Sequence, residues 1–155
     1  MIIRKFMEQD LQQVLEICNE VREYHINILN GYFLPQDDKL EKVLFLKSLE
    51  TDKIIALVSE ENKKINGYLL AEFKDMPFFL NSKIAIISNF GVSKKSQHKG
   101  IGKKLMDSFC TLCEKEQIHE LHLTVYNQNE TAHQFYKKYG FKSISQKMSL
   151  DLTKK

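Results

Sequence analysis

The 155-residue sequence contains only two prolines, six glycines and three cysteines, and no apolar run longer than five residues. Each scarcity excludes something. A membrane-spanning helix needs about 20 apolar residues in a row, whereas the longest runs here are Ile54 to Val58 and Met76 to Leu80. Cys18, Cys110 and Cys113 are too few, and odd in number, for a disulfide framework, so reduced thiols are expected. The segment Met1-Ile2-Ile3-Arg4-Lys5-Phe6 lacks the basic-then-apolar order of a secretory leader, which predicts a cytoplasmic protein. Excess charge is also small: 23 basic against 20 acidic residues give a net +3, too mild to define a nucleic-acid binder. No linker, repeat or low-complexity tract interrupts the chain, so a single domain over residues 1–155 is expected.

What is present is an ordinary globular mixture, 43% hydrophobic and 28% charged, in which element boundaries come from periodicity. Met1 to Phe6 reads as a short strand. From Asp10 to Tyr24, the residues Leu11, Val14, Leu15, Cys18 and Val21 keep the three-four spacing of an amphipathic helix. Asn30-Gly31 breaks it, and the acids Asp37 and Asp38 suit the start of a second helix running through Leu40, Val43 and Leu44 to Leu49. The period then changes to two. Lys53 to Ser59 and Ile65 to Phe73 flank the polar turn Glu60 to Lys64 as a β-hairpin, and Asn81 to Val92 forms a third long strand. A helix from Gly102 to Gln117, a strand from Glu120 to Tyr126, a helix from Asn129 to Lys138 and terminal strands from Phe141 to Leu152 follow. The order β-α-α-β-β-β-α-β-α-β, with room for one more strand, predicts an α/β protein with a central mixed, mostly antiparallel sheet flanked by helices.

The segment Gln97-His98-Lys99-Gly100-Ile101-Gly102 joins a strand to a helix. At a helix start, unpaired N–H groups and the positive dipole end converge on an anion, and two glycines let a phosphate approach without meeting a Cβ. A Walker loop would need glycine at position 97 and Ser or Thr at 104; the chain has Gln97 and Lys104. A dinucleotide fingerprint would need glycine where Leu105 stands. Two glycines that merely shape a turn are the bland alternative.

Gln97-x-x-Gly100-x-Gly102 resembles the acetyl-CoA signature of the GNAT family of N-acetyltransferases. A second segment, Asn129-x-x-Ala132-x-x-Phe135-Tyr136-x-x-x-Gly140-Phe141, is similar to the family's second coenzyme A motif. The resemblance implies a GNAT fold that uses acetyl-CoA as co-substrate and no metal. It implies that the amides of Gln97, His98, Lys99, Gly100, Ile101 and Gly102, with Lys103 in the helix's first turn, cradle the pyrophosphate. A backbone N–H among Phe90, Gly91 and Val92 would polarise the thioester carbonyl, and the pantetheine arm would lie between this strand and Glu120 to Tyr126. Asn129 and Ala132 would contact that arm, and Tyr136 would protonate the departing thiolate; packing on an amphipathic helix is the alternative for Tyr136.

An attacking amine must first lose its ammonium proton. Many family members place a carboxylate shortly before the position of Val92, where this chain has Ser88 and Asn89. Glu72 and His25 are the other candidate bases, with water-mediated proton loss as the default. Tyr32 and Phe33, between the first two helices, are candidate acceptor-pocket residues or core seals, and Met76-Pro77-Phe78-Phe79-Leu80 is a second pocket wall or a dimer contact. Cys110-x-x-Cys113 falls inside a helix with no second ligand pair, and His119-Glu120-Leu121-His122 enters a strand with its histidines on opposite faces, so neither is a metal site.

The expected activity is therefore transfer of acetyl from acetyl-CoA to a primary amine of a small molecule or peptide, by direct attack and without an acyl-enzyme. The alternative is a coenzyme A-binding regulatory module without chemistry, and the resemblance is compatible with a homodimer. Met76 to Met106 carries six lysines and no acid, leaving 17 basic and 20 acidic residues elsewhere. This local surplus suits the phosphates of coenzyme A better than a nucleic acid.

Overall fold

In the computed structural model, residues 1–30, 37–77, 80 and 82–152 are described. They form β1 (Ile2–Lys5), α1 (Leu11–Ile28), α2 (Lys39–Lys47), β2 (Ile54–Glu61), β3 (Lys64–Asp75), β4 (Lys83–Val92), α3 (Ile101–Lys115), β5 (Glu120–Leu123) and α4 (Glu130–Tyr139), with short 3-10 turns before α1 and α3. The chain divides into two compact units, Met1–Thr124 and Val125–Lys155.

In the first unit the sheet order is β1-β2-β3-β4-β5. The first three pairings are antiparallel and β4–β5 is parallel, as hairpin and helix connections require. The β2–β3 hairpin closes on Asn62 and Lys63, at φ 51° and 63°, the left-handed pair of a tight two-residue turn. Neither is glycine, so the sequence pattern suggests a longer turn and shorter strands than are found.

Side-chain alternation along the strands feeds two layers. On one face Ile54, Ala56 and Val58 of β2 and Tyr68 and Leu70 of β3 join Val14, Ile17 and Cys18 of α1 and Phe45 of α2. Phe45 stands edge-on to Tyr68 at 5.5 Å between centroids. On the other face α3 buries Ile101, Leu105, Met106 and Phe109, and Phe73 stacks on Phe109 at 6.5 Å. The start of α1 is tied to the sheet by Arg4, which donates to Asp10 at 2.6 Å and 2.8 Å and to Glu60 at 2.7 Å. Burial opposes ionisation of Asp10, but hydrogen bonds from Arg4 and the Met7 N–H hold its carboxyl below the usual carboxylate range.

Several boundaries differ from the periodic reading. Helix α1 continues past Tyr24 to Ile28, because nothing in residues 25–28 breaks a helix. β5 ends at Leu123 rather than Tyr126, with its register carried only by Ile84 to Ile87 of β4. The second unit, taken by itself, contains α4 and no strand over Phe141–Leu152. Alternation specifies which face a segment would bury, and a strand also needs a ladder within reach.

Candidate active site

In the first unit, β4 carries several of the candidate residues. Its register with β3 pairs Leu70 with Asn89 and Ala71 with Ile87, which leaves Ser88 as a one-residue bulge. A bulge re-aims the side chains beyond it. Asn89 consequently shares the α1–α2 face with Leu70, and its Oδ1 accepts a hydrogen bond from the Tyr68 hydroxyl at 2.8 Å. Ser88 donates to the Leu70 carbonyl at 3.2 Å. Burial pushes the Tyr68 phenol well above its usual range, and the adjacent Cys18 thiol adds to that; burial likewise raises Cys18 to about 11. The pair that stands in place of a carboxylate is thus neutral and held by its neighbours.

Gly91 follows on the same face. A Cβ there would come within 2.8 Å of Val21 Cγ2 and 3.0 Å of the Tyr68 ring, so only glycine lets α1 close over this end of β4. Beyond Val92 the Ser93 N–H donates to the Asn66 carbonyl at 3.0 Å, and the Gln97 amide donates to the Val92 carbonyl at 3.4 Å. Both bonds return the loop to the strand end. His98 is left-handed at φ 61°, and Gly100, at φ 76°, precedes the first residue of α3 with no side-chain cap.

A left-handed residue entering a right-handed helix turns successive N–H groups to one side, the geometry of an anion nest. A Cβ built at Gly100 meets nothing within 4 Å, so its requirement for glycine is one of backbone conformation. The first helical hydrogen bond is donated by Lys104 to the Gly100 carbonyl at 3.1 Å, and a helix start leaves the preceding N–H groups outside the intrahelical ladder. These amides fit a pyrophosphate. The Lys103 ammonium, by contrast, is ion-paired with Asp107 at 2.7 Å, so Lys103 offers the loop its backbone rather than its charge.

The second unit holds Asn129, Ala132 and Tyr136 on one helix. Asn129 caps α4, its side-chain oxygen accepting from the Ala132 N–H at 3.1 Å, which links two of the three motif residues by one bond. Tyr136 lies among Phe135, at 5.4 Å, and Phe141, at 5.5 Å, and burial pushes its phenol up to about 12. A phenol of that strength keeps its proton at neutral pH. The helix ends on Gly140, left-handed at φ 109°, and the Phe141 N–H donates to the Tyr136 carbonyl at 2.9 Å.

The remaining candidates separate. Glu72 lies on β3 opposite Ile86 and pairs with Lys74 at 3.0 Å. His25 is half-buried near the end of α1, and burial lowers its imidazole below the usual range. Tyr32 and Phe33 lie outside the described residues, as do Phe78 and Phe79. Cys110 and Cys113 lie inside α3, where burial raises the Cys113 thiol to about 12. Two features escaped the sequence reading: the Tyr68–Asn89 bond, and a contact of 3.0 Å between His122 Nε2 and Glu120 Oε1 on β5. The i, i+2 spacing on a strand was the available signal for the second; nothing local marks the first.

The family profile described as the Acetyltransferase (GNAT) family matches residues 15–141, and the chain belongs to that family. Among solved structures it is similar to a tetramutant of the BH1408 protein from Bacillus halodurans, with 27% identity over 98% of this chain and 100% of that one, at a TM-score of 0.88. It also shares its fold with an aminoglycoside acetyltransferase from an uncultured soil metagenomic sample, at 20% identity, 97% and 93% coverage and TM-score 0.71. The aminoglycoside N-acetyltransferase AAC(6')-Iy, solved in complex with CoA, matches at 12% identity, 97% and 93% coverage and TM-score 0.77. No curated protein matches the chain. The mixed, mostly antiparallel sheet flanked by helices is the fold these structures have in common.

Proposed function

We propose that the protein transfers acetyl from acetyl-CoA to a primary amine of a small molecule or peptide, by direct attack and without an acyl-enzyme. The observation that carries this reading is the uncapped start of α3 behind left-handed Gly100, a backbone anion site held at the end of β4 by Gln97 and Ser93. The fold relatives support it: AAC(6')-Iy is solved with CoA and with a bisubstrate analogue joining CoA to acetylneamine.

In this reading the amides of Gln97 to Lys103 hold the pyrophosphate, and one backbone N–H among Phe90, Gly91 and Val92 polarises the thioester carbonyl. A fixed donor of that kind is worth roughly 3 kcal/mol elsewhere, and holding both reactants in one cleft supplies much of the rest. Asn129 and Ala132 belong to the coenzyme A contacts. Tyr136, protonated at neutral pH, gives its proton to the departing sulfur. The cysteine thiols with raised pKa values, Cys18 and Cys113, are poor nucleophiles, which favours direct transfer.

A second reading, a coenzyme A-binding module without chemistry, draws on the engagement of Ser88 and Asn89 with Leu70 and Tyr68, since neither can act as a carboxylate base. Incubation with acetyl-CoA and a panel of amines separates the two. Free thiol released with one or more amines supports transfer, whereas acetyl-CoA binding without release supports the module.

A further inference from the structure

We propose that Glu20 is a positioning residue for acetyl-CoA: by accepting the Lys94 N–H it holds the β4–α3 loop in the arrangement that binds the coenzyme; this rests on the reading of that loop as the acetyl-CoA site. Lys94 comes two residues after Val92, where β4 ends. Its backbone N–H donates to Glu20 Oε2 at 2.7 Å, between residues 74 positions apart in the chain. A bond of that length to a carboxylate is among the stronger ones open to a backbone amide. Packing brings Glu20 there. Its neighbour Val21 lies over Gly91, with 2.8 Å between Val21 Cγ2 and the place a Gly91 Cβ would take. Helix α1 thus grips the chain on both sides of Val92, by packing at Gly91 and by a carboxylate at Lys94.

The segment from Ser93 to Gln97 is held locally by the Ser96 N–H, which donates to the Ser93 carbonyl at 2.8 Å, and by the Gln97 amide, which donates to the Val92 carbonyl at 3.4 Å. Two further bonds reach other elements. The Ser93 N–H donates to the Asn66 carbonyl of β3 at 3.0 Å, and the Lys94 N–H donates to Glu20 of α1. Of these four, the last alone depends on a side chain from another element.

The sign of the charge makes the role geometric. An anion site gains from cations, whereas a carboxylate at the entrance of the loop opposes a pyrophosphate electrostatically. Glu20 therefore aids binding through the backbone. A loop that visits its binding arrangement only part of the time binds more weakly by that fraction, and a bond that keeps the arrangement in the free protein removes the loss.

Glu23, three residues further along α1, also meets Lys94, but through the ammonium, at 3.6 Å, with the Lys94 and Glu23 side chains 58% and 67% exposed. An ion pair that open to water contributes little. The two contacts separate the Lys94 N–H from the Lys94 charge.

The test measures acetyl-CoA affinity by calorimetry, kcat and KM for the best amine of the panel, and the urea midpoint. Glu20→Ala is expected to weaken acetyl-CoA binding by about 10-fold, while kcat at saturating acetyl-CoA stays within about twofold of wild type, because no reacting group is touched. Glu20→Gln keeps an acceptor oxygen without the charge and restores wild-type affinity or better. Glu23→Gln and Lys94→Gln, which keep the N–H bond, bind as wild type. Lys94→Pro deletes the N–H itself at the first position of a 3-10 turn, behind Ser93 at φ −55° and ψ 142°, a conformation that suits the residue before proline. It weakens binding as Glu20→Ala does, and adding Glu20→Ala to it has no further effect.

A Glu20→Ala variant that binds acetyl-CoA as wild type does, whether or not its urea midpoint falls, overturns the assignment while leaving the loop reading intact. A kcat that collapses in Glu20→Gln with affinity unchanged also overturns it, since Glu20 would then act on the reaction itself. A wild type that binds no acetyl-CoA overturns the loop reading and this assignment together.

Discussion

The Tyr68 hydroxyl donates to Asn89 Oδ1 across a distance of 2.8 Å, and this bond joins a fully buried core ring to the strand that borders the proposed reaction centre. It depends on the bulge at Ser88, without which Asn89 would face α3. Tyr68→Phe removes the donor while keeping the ring and its contact with Phe45. The variant is expected to lose about 1 kcal/mol of stability, the net worth of one such bond, read as a shift in urea midpoint at constant slope. An unchanged midpoint would mean that the bond contributes nothing to the folded state.

Gly100 supplies a conformation rather than space. At φ 76°, Gly100→Ala places a Cβ in the left-handed region, at a cost of roughly 1–2 kcal/mol. The account predicts lower thermal stability together with weaker acetyl-CoA binding by calorimetry, since relaxing the strain moves the amides of the nest. Retained affinity at lowered stability would separate the glycine from the phosphate site.

Gly91 is constrained differently. Its φ carries no penalty, but an added Cβ meets Val21 at 2.8 Å, and α1 must shift. Gly91→Ala should cost on the order of 1–3 kcal/mol, as overpacking does. Val21→Ala in the same chain should restore part of the loss, which a double-mutant cycle of denaturation midpoints measures.

His25 makes stability depend on pH. Burial lowers its folded-state pKa below the ordinary 6.5, so the unfolded chain binds the proton more readily. Stability is full above the unfolded value and falls as pH drops below about 6.5 toward the folded pKa. His25→Gln should flatten the unfolding-midpoint profile in that window; a profile identical to wild type would show that other groups set the slope.

The residues that were legible in sequence are those whose role is written in local spacing. Gln97, Gly100 and Gly102 show a strand-to-helix turn because the glycines and the following three-four periodicity lie within one segment. Asn129 announces a helix cap for the same reason, and its bond to Ala132 is local. The α1 face follows from apolar spacing alone. What stayed hidden depends on register between distant segments. The bulge at Ser88 is a mismatch against Leu70 and Ala71, 17 or 18 positions away along the chain, and no property of Ser88 encodes it. The Tyr68–Asn89 bond inherits that invisibility. His122 was readable as a strand histidine, but its row with Ile86 and Glu72 exists only after β3, β4 and β5 are aligned. The lysine surplus between Met76 and Met106 is a further example, because Lys103 spends its charge on Asp107 one helical turn along.

Tyr136 is a proton donor in this account, kept protonated by burial that raises its phenol to about 12. Tyr136→Phe keeps the ring packed against Phe135 and Phe141 and removes the proton. Turnover should fall by about 100-fold or more if the proton is delivered in the rate-limiting step, with acetyl-CoA affinity preserved. Equal turnover would remove Tyr136 from the mechanism.

The measurement that bears most directly on the whole account is release of free thiol from acetyl-CoA by the purified protein across a panel of primary amines, small molecules and peptides together. Release that depends on both an amine and the protein, and that drops in Gly100→Ala, is the predicted result. Tight binding of acetyl-CoA with no thiol released by any amine would contradict it.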